Sequence, residues 1–438
     1  MDGTQSVNSE IDAGTGEKMH AFIEALYPIC RSITGDGLRA TLRAIQDRIP
    51  LTIHEVPTGT EVFDWTIPKE WNIRDAYIKN AEGERVVDFQ ASNLHVVNYS
   101  VPVQRTMTLD ELRPHLHTLP DQPDLIPYRT SYYNKTWGFC LRYQTLDALP
   151  DETYEVCIDS TLEPGALSYG ECVIPGETDE EVLFSCHTCH PSLCNDNLSG
   201  VALCTSLAQA VRERSTRYTY RFLFIPGTIG SITWLARNED HTDRIKHGLV
   251  VACVGDPGSF HYKKSRRGDA EIDQVVQYVL EQADAPSDVR PFTPYGYDER
   301  QYCSPGFNLP VGSLTRTPHG RFPEYHTSAD DLSLVRPRAL TASLRRYLEV
   351  VDVLEANRTY VSTNPKGEPQ LGKRGLYRAM GGHADTEAMQ MAMLWVLNLA
   401  DGTHSVLDIA KRAGMSVSLL DSVAQTLYEH NLIEHRAK

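Results

Sequence analysis

From about residue 135 onward, short apolar runs alternate with longer amphipathic stretches, and this alternation restricts the fold more than any other feature of the chain. "YEVCIDS", "GALSYGECVIPG", "EEVLFSCH", "YTYRFLFIP", "GLVVACVGD" and "LPVGSLTR" read as strands. Between and after them, "SGVALCTSLAQAVRER", "GSITWLARNED", "AEIDQVVQYVLEQ" and "PRALTASLRRYLEVVDVLEANR" carry apolar residues at helical spacing. Parallel strands need long crossovers, usually helical, so the pattern predicts an α/β fold: a mostly parallel sheet with helices on both faces. In such sheets ligands gather outside the carboxyl ends of the strands. The residues that end each apolar run are therefore the first place to look for chemistry.

"EEVLFSCH" ends at His187, and a tight loop carries His190 to "NDNLSG", where Asp196 precedes a helix. "YRFLFIP" is followed by Gly227, "GLVVACVGD" ends at Asp256, and "EYHTSADD" places His326 after Glu324. Imidazoles and carboxylates are suitable zinc ligands, so His187, Asp196, Asp256 and His326 form a candidate metal cleft. Either His187 or His190 could supply the first imidazole, and the strand-end position favours His187. Taken alone, Asp196 could cap a helix and Asp256 could sit in a turn. Cys186, Cys189 and Cys194 flank the same loop, but no second Cys pair stands at the spacing of a thiolate zinc site.

The order His, Asp-Asn-x-Ser-Gly, strand-end acid, strand-end Asp, His resembles the co-catalytic zinc aminopeptidases. That group includes bacterial leucyl aminopeptidase and glutamate carboxypeptidase. "CHPSLCNDNLSG", "DERQYCSPGFNLPVGSL" and "FPEYHTSADDL" are similar to a bacterial aminopeptidase-like subgroup with a small β insert and a C-terminal winged helix. The resemblance implies zinc ligation by His187, Asp196, Asp256 and His326, with one Zn2+ per chain. It also implies two adjacent carboxylates after the next strand, a general base and a second-metal ligand. Those positions fall on Gly227 and Thr228 in "PGTIGS", whereas the subgroup typically has Pro-Glu-Thr-Ile-Gly-Ser. The Thr is then a feature of the subgroup and the Gly is peculiar to this chain.

A general base typically contributes about 10²–10⁴-fold to a rate, so its loss matters more to hydrolysis than to metal binding. Asp298 and Glu299 in "YDERQY", and Glu324, are the candidate substitutes. "HYKKSRRG" follows Asp256; Arg266 or Arg267 could grip a substrate anion bidentately, with Arg300 as a further candidate. The expected function is zinc-dependent aminopeptidase-like hydrolysis of an amide or peptide bond in a small polar substrate. The alternatives are a diverged biosynthetic step (transfer, cyclisation or lyase) in the same cleft, an inactive ligand-binding or sensing protein, and a chain whose base was removed by design.

Residues 17–51 and 119–364 are assigned to the aminopeptidase-like zinc domain. The short alternating runs of 52–118 are assigned to a β-rich insert, and 385–438 to a winged helix. Residues 1 to about 16 read as disordered and the Gly-rich stretch of about 365–384 as a linker. The presumed recognition helix, "VSLLDSVAQTLYEHNLI", contains no Lys or Arg, and phosphate contacts need them. Together with a net charge of −16, this argues against nucleic acid and anionic membranes as partners. A peptide-like or small polar substrate and further copies of the chain are the expected partners. Ten scattered cysteines and an acidic, polar N-terminus without the basic and apolar segments of a signal peptide point to the cytoplasm.

Overall fold

The computed structural model describes residues 14–283, 285–376 and 383–436, with backbone alone for 383–386. Most of the expected N-terminal disordered stretch, and residues 377–382 of the expected linker, lie outside the described residues. The chain divides into two compact units, Met1–Tyr347 and Leu348–Lys438.

The first unit opens with α1 (Thr15–Leu26) and α2 (Asp36–Gln46). Its strands of more than two residues are β1 (Thr52–Pro57), β2 (Glu70–Lys79), β3 (Arg85–Asp88), β4 (Val103–Thr108), β5 (Thr153–Glu163), β6 (Ala166–Ile174), β7 (Glu181–His187), β8 (Thr219–Ile225), β9 (Ile245–Val251), β10 (Phe260–Lys263), β11 (Ser287–Arg290) and β12 (Val311–Thr315). Beyond strand β7, its α-helices are α3 (Ser199–Arg212), α4 (Ile229–Arg237), α5 (Glu271–Glu281), α6 (Glu299–Tyr302) and α7 (Pro337–Ala356), the last crossing into the second unit.

Among the described residues an eight-stranded sheet runs β1-β6-β8-β7-β9-β12-β10-β11. Its centre, β8-β7-β9-β12, is parallel, and antiparallel pairs flank it. Every residue of β7 is buried, as expected of a strand covered on both faces. The central strands bring the ends of β7, β8 and β9 to one edge of the sheet.

A second sheet, β3-β2-β5-β4, forms the insert. It reaches further along the chain than the 52–118 assignment. "YEVCIDS" belongs to β5, which pairs with β2 and β4 and not with the large sheet. The two sheets share one apolar core in which Trp71, Tyr99 and Tyr154 of the insert region join Leu183, Leu223 and Val250 of the large sheet.

The second unit holds β13 (Thr359–Ser362), α8 (His383–Leu399), β14 (Asp401–Ser405), α9 (Val406–Ala413), α10 (Val417–Glu429) and β15 (Ile433–His435). Its three-stranded sheet runs β14-β13-β15, so the unit gathers a strand from well before residue 385. The sequence dictates its helix ends. Ser405 and Asp408 cap α9 reciprocally, and Gly414 ends it at φ +65°. Ser416 Oγ accepts the Leu419 amide at the start of α10. Among the described residues no helix is long and apolar enough to cross a membrane.

Candidate metal centre

His187 is the last residue of β7. Seven residues on, the chain enters a kinked turn, Cys194–Leu198, that leads into α3. Asp196 in this turn has non-helical dihedrals, φ −112° and ψ 82°, which direct its carboxylate out of the helical path. His187 Nε2 lies 2.8 Å from Asp196 Oδ1, His326 Nε2 3.0 Å from Asp196 Oδ2, and His190 Nε2 3.8 Å from the same Oδ2. Three imidazoles thus surround one carboxylate. Among the described residues, the ligand atoms of His187, His190 and Asp196 all lie within 4.8 Å of one another. This is a donor set of the kind that zinc takes, with both histidines of the loop included rather than one. Side-chain exposure rises from 0% at Asp196 to 14% at His190 and 34% at His326. The centre therefore opens to solvent on the His326 side.

The electrostatics follow from burying a carboxylate among imidazoles. Burial alone would push the Asp196 carboxyl up, but His190, His187 and His326 hold it well below its ordinary value. Burial opposes charge on His187, and Asp196 outweighs it, raising this imidazole. His190 shows the reverse balance: burial dominates and drives it well below its ordinary value. A neutral imidazole beside an ionised carboxylate is the state in which both can ligate a cation.

A hydrogen-bonded clamp fixes the turn. Asp330 accepts the amides of Asn195 (2.5 Å) and Asp196 (2.9 Å). Asn197 Nδ2 donates to the Val251 carbonyl (2.9 Å), and its Oδ1 accepts the Gly200 amide. Asn195 Oδ1 accepts the Gly255 amide, while its Nδ2 donates to Asp256 Oδ2 at 3.1 Å.

Asp256 is not brought into the cluster. Its oxygens accept from Asn195 Nδ2, Gly258 N (2.8 Å), Thr317 N (3.2 Å) and Thr317 Oγ1 (2.6 Å). It acts at one remove, by holding Asn195. The strand it was expected to end stops at Val251, and the following segment turns at Cys253, φ +50°. Cys253 Sγ lies 3.1 Å from the hydroxyl of Tyr297, whose ring stacks on His187 at 5.0 Å. Burial drives this thiol far above its ordinary value, so it is inert.

At Gly227 the expected carboxylate is absent, and another stands nearby. A Cβ added at Gly227 would lie 3.2 Å from His187 Cβ and 3.4 Å from Asp298 Oδ2. The Asp298 carboxylate is thus in contact with the space a side chain at 227 would enter. Ser231 Oγ donates to Asp298 Oδ1 at 2.8 Å, whereas Oδ2 is buried without a hydrogen-bond partner. Burial pushes this carboxyl up to about 6, against the pull of His187 and Ser231.

The other expected site residues are dispersed. Glu299 is buried and paired with Lys263. Glu324 supplies its carbonyl to Thr327 in the turn before α7. Arg266 and Arg267 are exposed and bond to Asn308. Arg300 is half-buried and close enough to Asp298 to favour its charged form. Sequence reasoning missed Asp330, Tyr128 and Tyr297. Tyr128 meets His190 and His326 with ring centroids 5.1 Å apart, and its amide donates to the His326 carbonyl. Asp330 lies within "EYHTSADD" and Tyr297 opens "YDERQY", whereas no singled-out motif contains Tyr128.

Known proteins share the family and the fold. Residues 20–357 match a family described as a domain of unknown function, DUF4910, and residues 358–435 match a winged helix-turn-helix family. A Clostridium acetobutylicum protein, assigned to polysaccharide biosynthesis and described as having an aminopeptidase-like domain, is 56% identical over 420 residues, 96% of each chain. The crystal structure of a Clostridium acetobutylicum protein assigned as a peptidase superposes with a TM-score of 0.92 at 53% identity, covering 98% of this chain and 99% of the other. The Bacillus subtilis zinc aminopeptidase BSAP superposes at 0.55 and 12% identity, covering 77% and 93%, a likeness of fold. The chain belongs to the DUF4910 family, an aminopeptidase-like α/β fold followed here by a winged helix.

Proposed function

We propose that this protein is a zinc-dependent hydrolase of an amide bond in a small polar substrate, with Asp298 serving as the general base. The observation that carries this reading is the orphaned Asp298 Oδ2, buried against Gly227 and His187, where His187 belongs to the cluster with His190 and Asp196 that His326 joins through Asp196. A buried carboxylate oxygen without a partner is costly and calls for one. A water at the centre is the natural partner.

His187, His190, Asp196 and His326 are the residues that would hold the ion, and Asp256 positions Asn195 behind them. When bound, zinc supplies Lewis acidity, polarising a carbonyl and making water a better nucleophile near neutral pH. Asp298 Oδ2 takes the proton that an attacking water must lose. Ser231, bonded to Oδ1, keeps the carboxylate aimed, and Gly227 leaves it the room. The glycine is then not a deletion but half of an exchange, in which the base comes from the N-terminus of α6. The relative assigned to polysaccharide biosynthesis supports a biosynthetic setting. Ten free cysteines support a reducing, cytoplasmic one. The winged helix serves as an interaction module between copies of the chain or with other proteins.

The test is Asp298→Asn, with zinc per chain by elemental analysis and hydrolysis of a panel of aminoacyl and N-acyl amides. The expected result is about one zinc per chain in both forms and a loss of about 10²–10³-fold in kcat. Unchanged turnover would remove Asp298 from the mechanism. Absence of zinc after it is offered would sink the hydrolase reading.

A further inference from the structure

A cavity of about 380 Å³ shares a wall with the metal centre. Tyr297 lines it and also stacks on His187. His319 lines it too, meets Tyr297 edge-on at 4.7 Å, and contacts Tyr325, which stacks on His326 at 4.0 Å. A ligand in this cavity would therefore sit beside the residues assigned to the chemistry. The size suits one sugar ring or a molecule of similar bulk.

The lining reverses the sign of the protein. The chain as a whole carries −16, yet the cavity presents Lys263, Arg290 and Arg321 against a single carboxylate, Glu299. Lys263 pairs with Glu299, and Arg290 with Asp288, which stands outside the lining. Arg321 is exposed and makes no salt bridge among the described residues, although Asp288 is within its electrostatic reach. A free guanidinium at the mouth of a concave site is a ready donor for a carboxylate or phosphate. Tyr295, 74% exposed, offers an aromatic face. Ser313 and Thr315 add hydroxyls on the opposite strand. Aromatic faces with hydroxyl partners suit the C–H faces and hydroxyls of a sugar.

We propose that this cavity recognises an anionic, hydroxyl-bearing portion of the substrate, a sugar carrying a carboxylate or phosphate, with Arg321 as its principal anion contact. The proposal deepens the hydrolase reading by naming the substrate class, and it rests on that reading only for the word substrate. It also replaces Arg266 and Arg267, which bond to Asn308 and lie outside the lining, as the anion-binding arginines.

The test is calorimetric titration of the full chain with glucose 6-phosphate, glucuronate and glucose, none of which contains a bond to hydrolyse. At least one anionic sugar should bind tenfold or more tightly than glucose. Arg321→Ala should weaken that binding at least tenfold, Arg321→Lys by less, and Arg267→Ala not at all. Preference for the phosphate, for the carboxylate, or for both equally, would identify the source of the charge. The proposal is overturned if neither anion outbinds glucose, or if Arg321→Ala binds like the native chain. Because binding is read without turnover, a chain that binds the anion and hydrolyses nothing keeps the cavity and loses the reaction. One that hydrolyses neutral amides and ignores the anions does the opposite.

Discussion

Two histidines on neighbouring strands of the large sheet show what distinguishes a reactive edge from a structural one. His187 ends β7, and His247 lies near the start of β9, the parallel strand beside it. Their side chains are 2% and 3% exposed. For His187, burial is overcome by Asp196 and the imidazole is raised. For His247, burial, Arg217 and Lys246 push it down to about 3. Its neighbours are the Tyr218 hydroxyl at 3.2 Å and Glu271, no nearer than 4.0 Å. Burial makes an imidazole silent. A buried carboxylate beside it, as Asp196 is for His187 at 2.8 Å and for His190 at 3.8 Å, makes it a candidate ligand. The carboxyl edge of the sheet gathers such carboxylates because its loops return there, and the amino edge does not.

The sharpest way to break this contrast is Asp196→Asn. It leaves the shape and removes the charge that three histidines share. Zinc content should fall to background and any metal-dependent turnover by at least about 10³-fold, since one ligand and the charge balance go together. Retention of zinc would show that the imidazoles suffice. Next in size is Asp256→Ala, which cuts the support behind Asn195 without touching a ligand. Apparent zinc affinity, measured by competition with a chelator, should drop about 10–100-fold, the range for groups that orient metal ligands. A total loss would return Asp256 to the ligand set.

Gly227→Glu supplies the carboxylate expected at this position from the sequence but sets it against Asp298 and His187 Cβ. Overpacking costs about 1–3 kcal/mol, so the melting temperature should fall and turnover should not rise. A large gain in amide hydrolysis would mean that position 227, not Asp298, is the seat of the base.

The smallest effect belongs to the silent histidine. His247 stays neutral in the fold down to about pH 3, while the unfolded chain takes up a proton below about 6.5. Its stabilising contribution is therefore complete above pH 6.5 and is lost as pH falls toward 3, by about 1.4 kcal/mol per unit. His247→Gln should flatten that part of the stability curve, read as the difference in melting temperature between pH 7 and pH 5. An unchanged slope would assign the acid sensitivity elsewhere.

How much of this was legible in the sequence differs from residue to residue. The alternation of strands and helices exposed the sheet, and the ends of its apolar runs exposed His187 and, through the turn before α3, Asp196. His326 followed from the order of the motif. His190 was visible but could not be separated from His187, because only the folded loop brings both rings to one carboxylate. Asp256 was misplaced for a tertiary reason. "GLVVACVGD" reads as one strand, but side chains intercept the backbone after Val251. The amides of Cys253, Val254 and Gly255 go to Asn197, Ser199 and Asn195, and the chain turns away before Asp256. The meeting of Gly227 with Asp298 joins positions on separate elements, and no local pattern records it. Arg266 and Arg267 follow a strand of only four residues, Phe260–Lys263, and then bond to a neighbouring loop.

The clamp around Asn195, Asp196 and Asn197 makes the candidate centre depend on residues far from it in the chain. Its hydrogen bonds run between protein groups, with Asp330, Asp256, Val251 and Gly255 as the counterparts. The pose of the Asp196 carboxylate is thus written into groups on three other segments, so a change at any of them reaches the cluster without touching it.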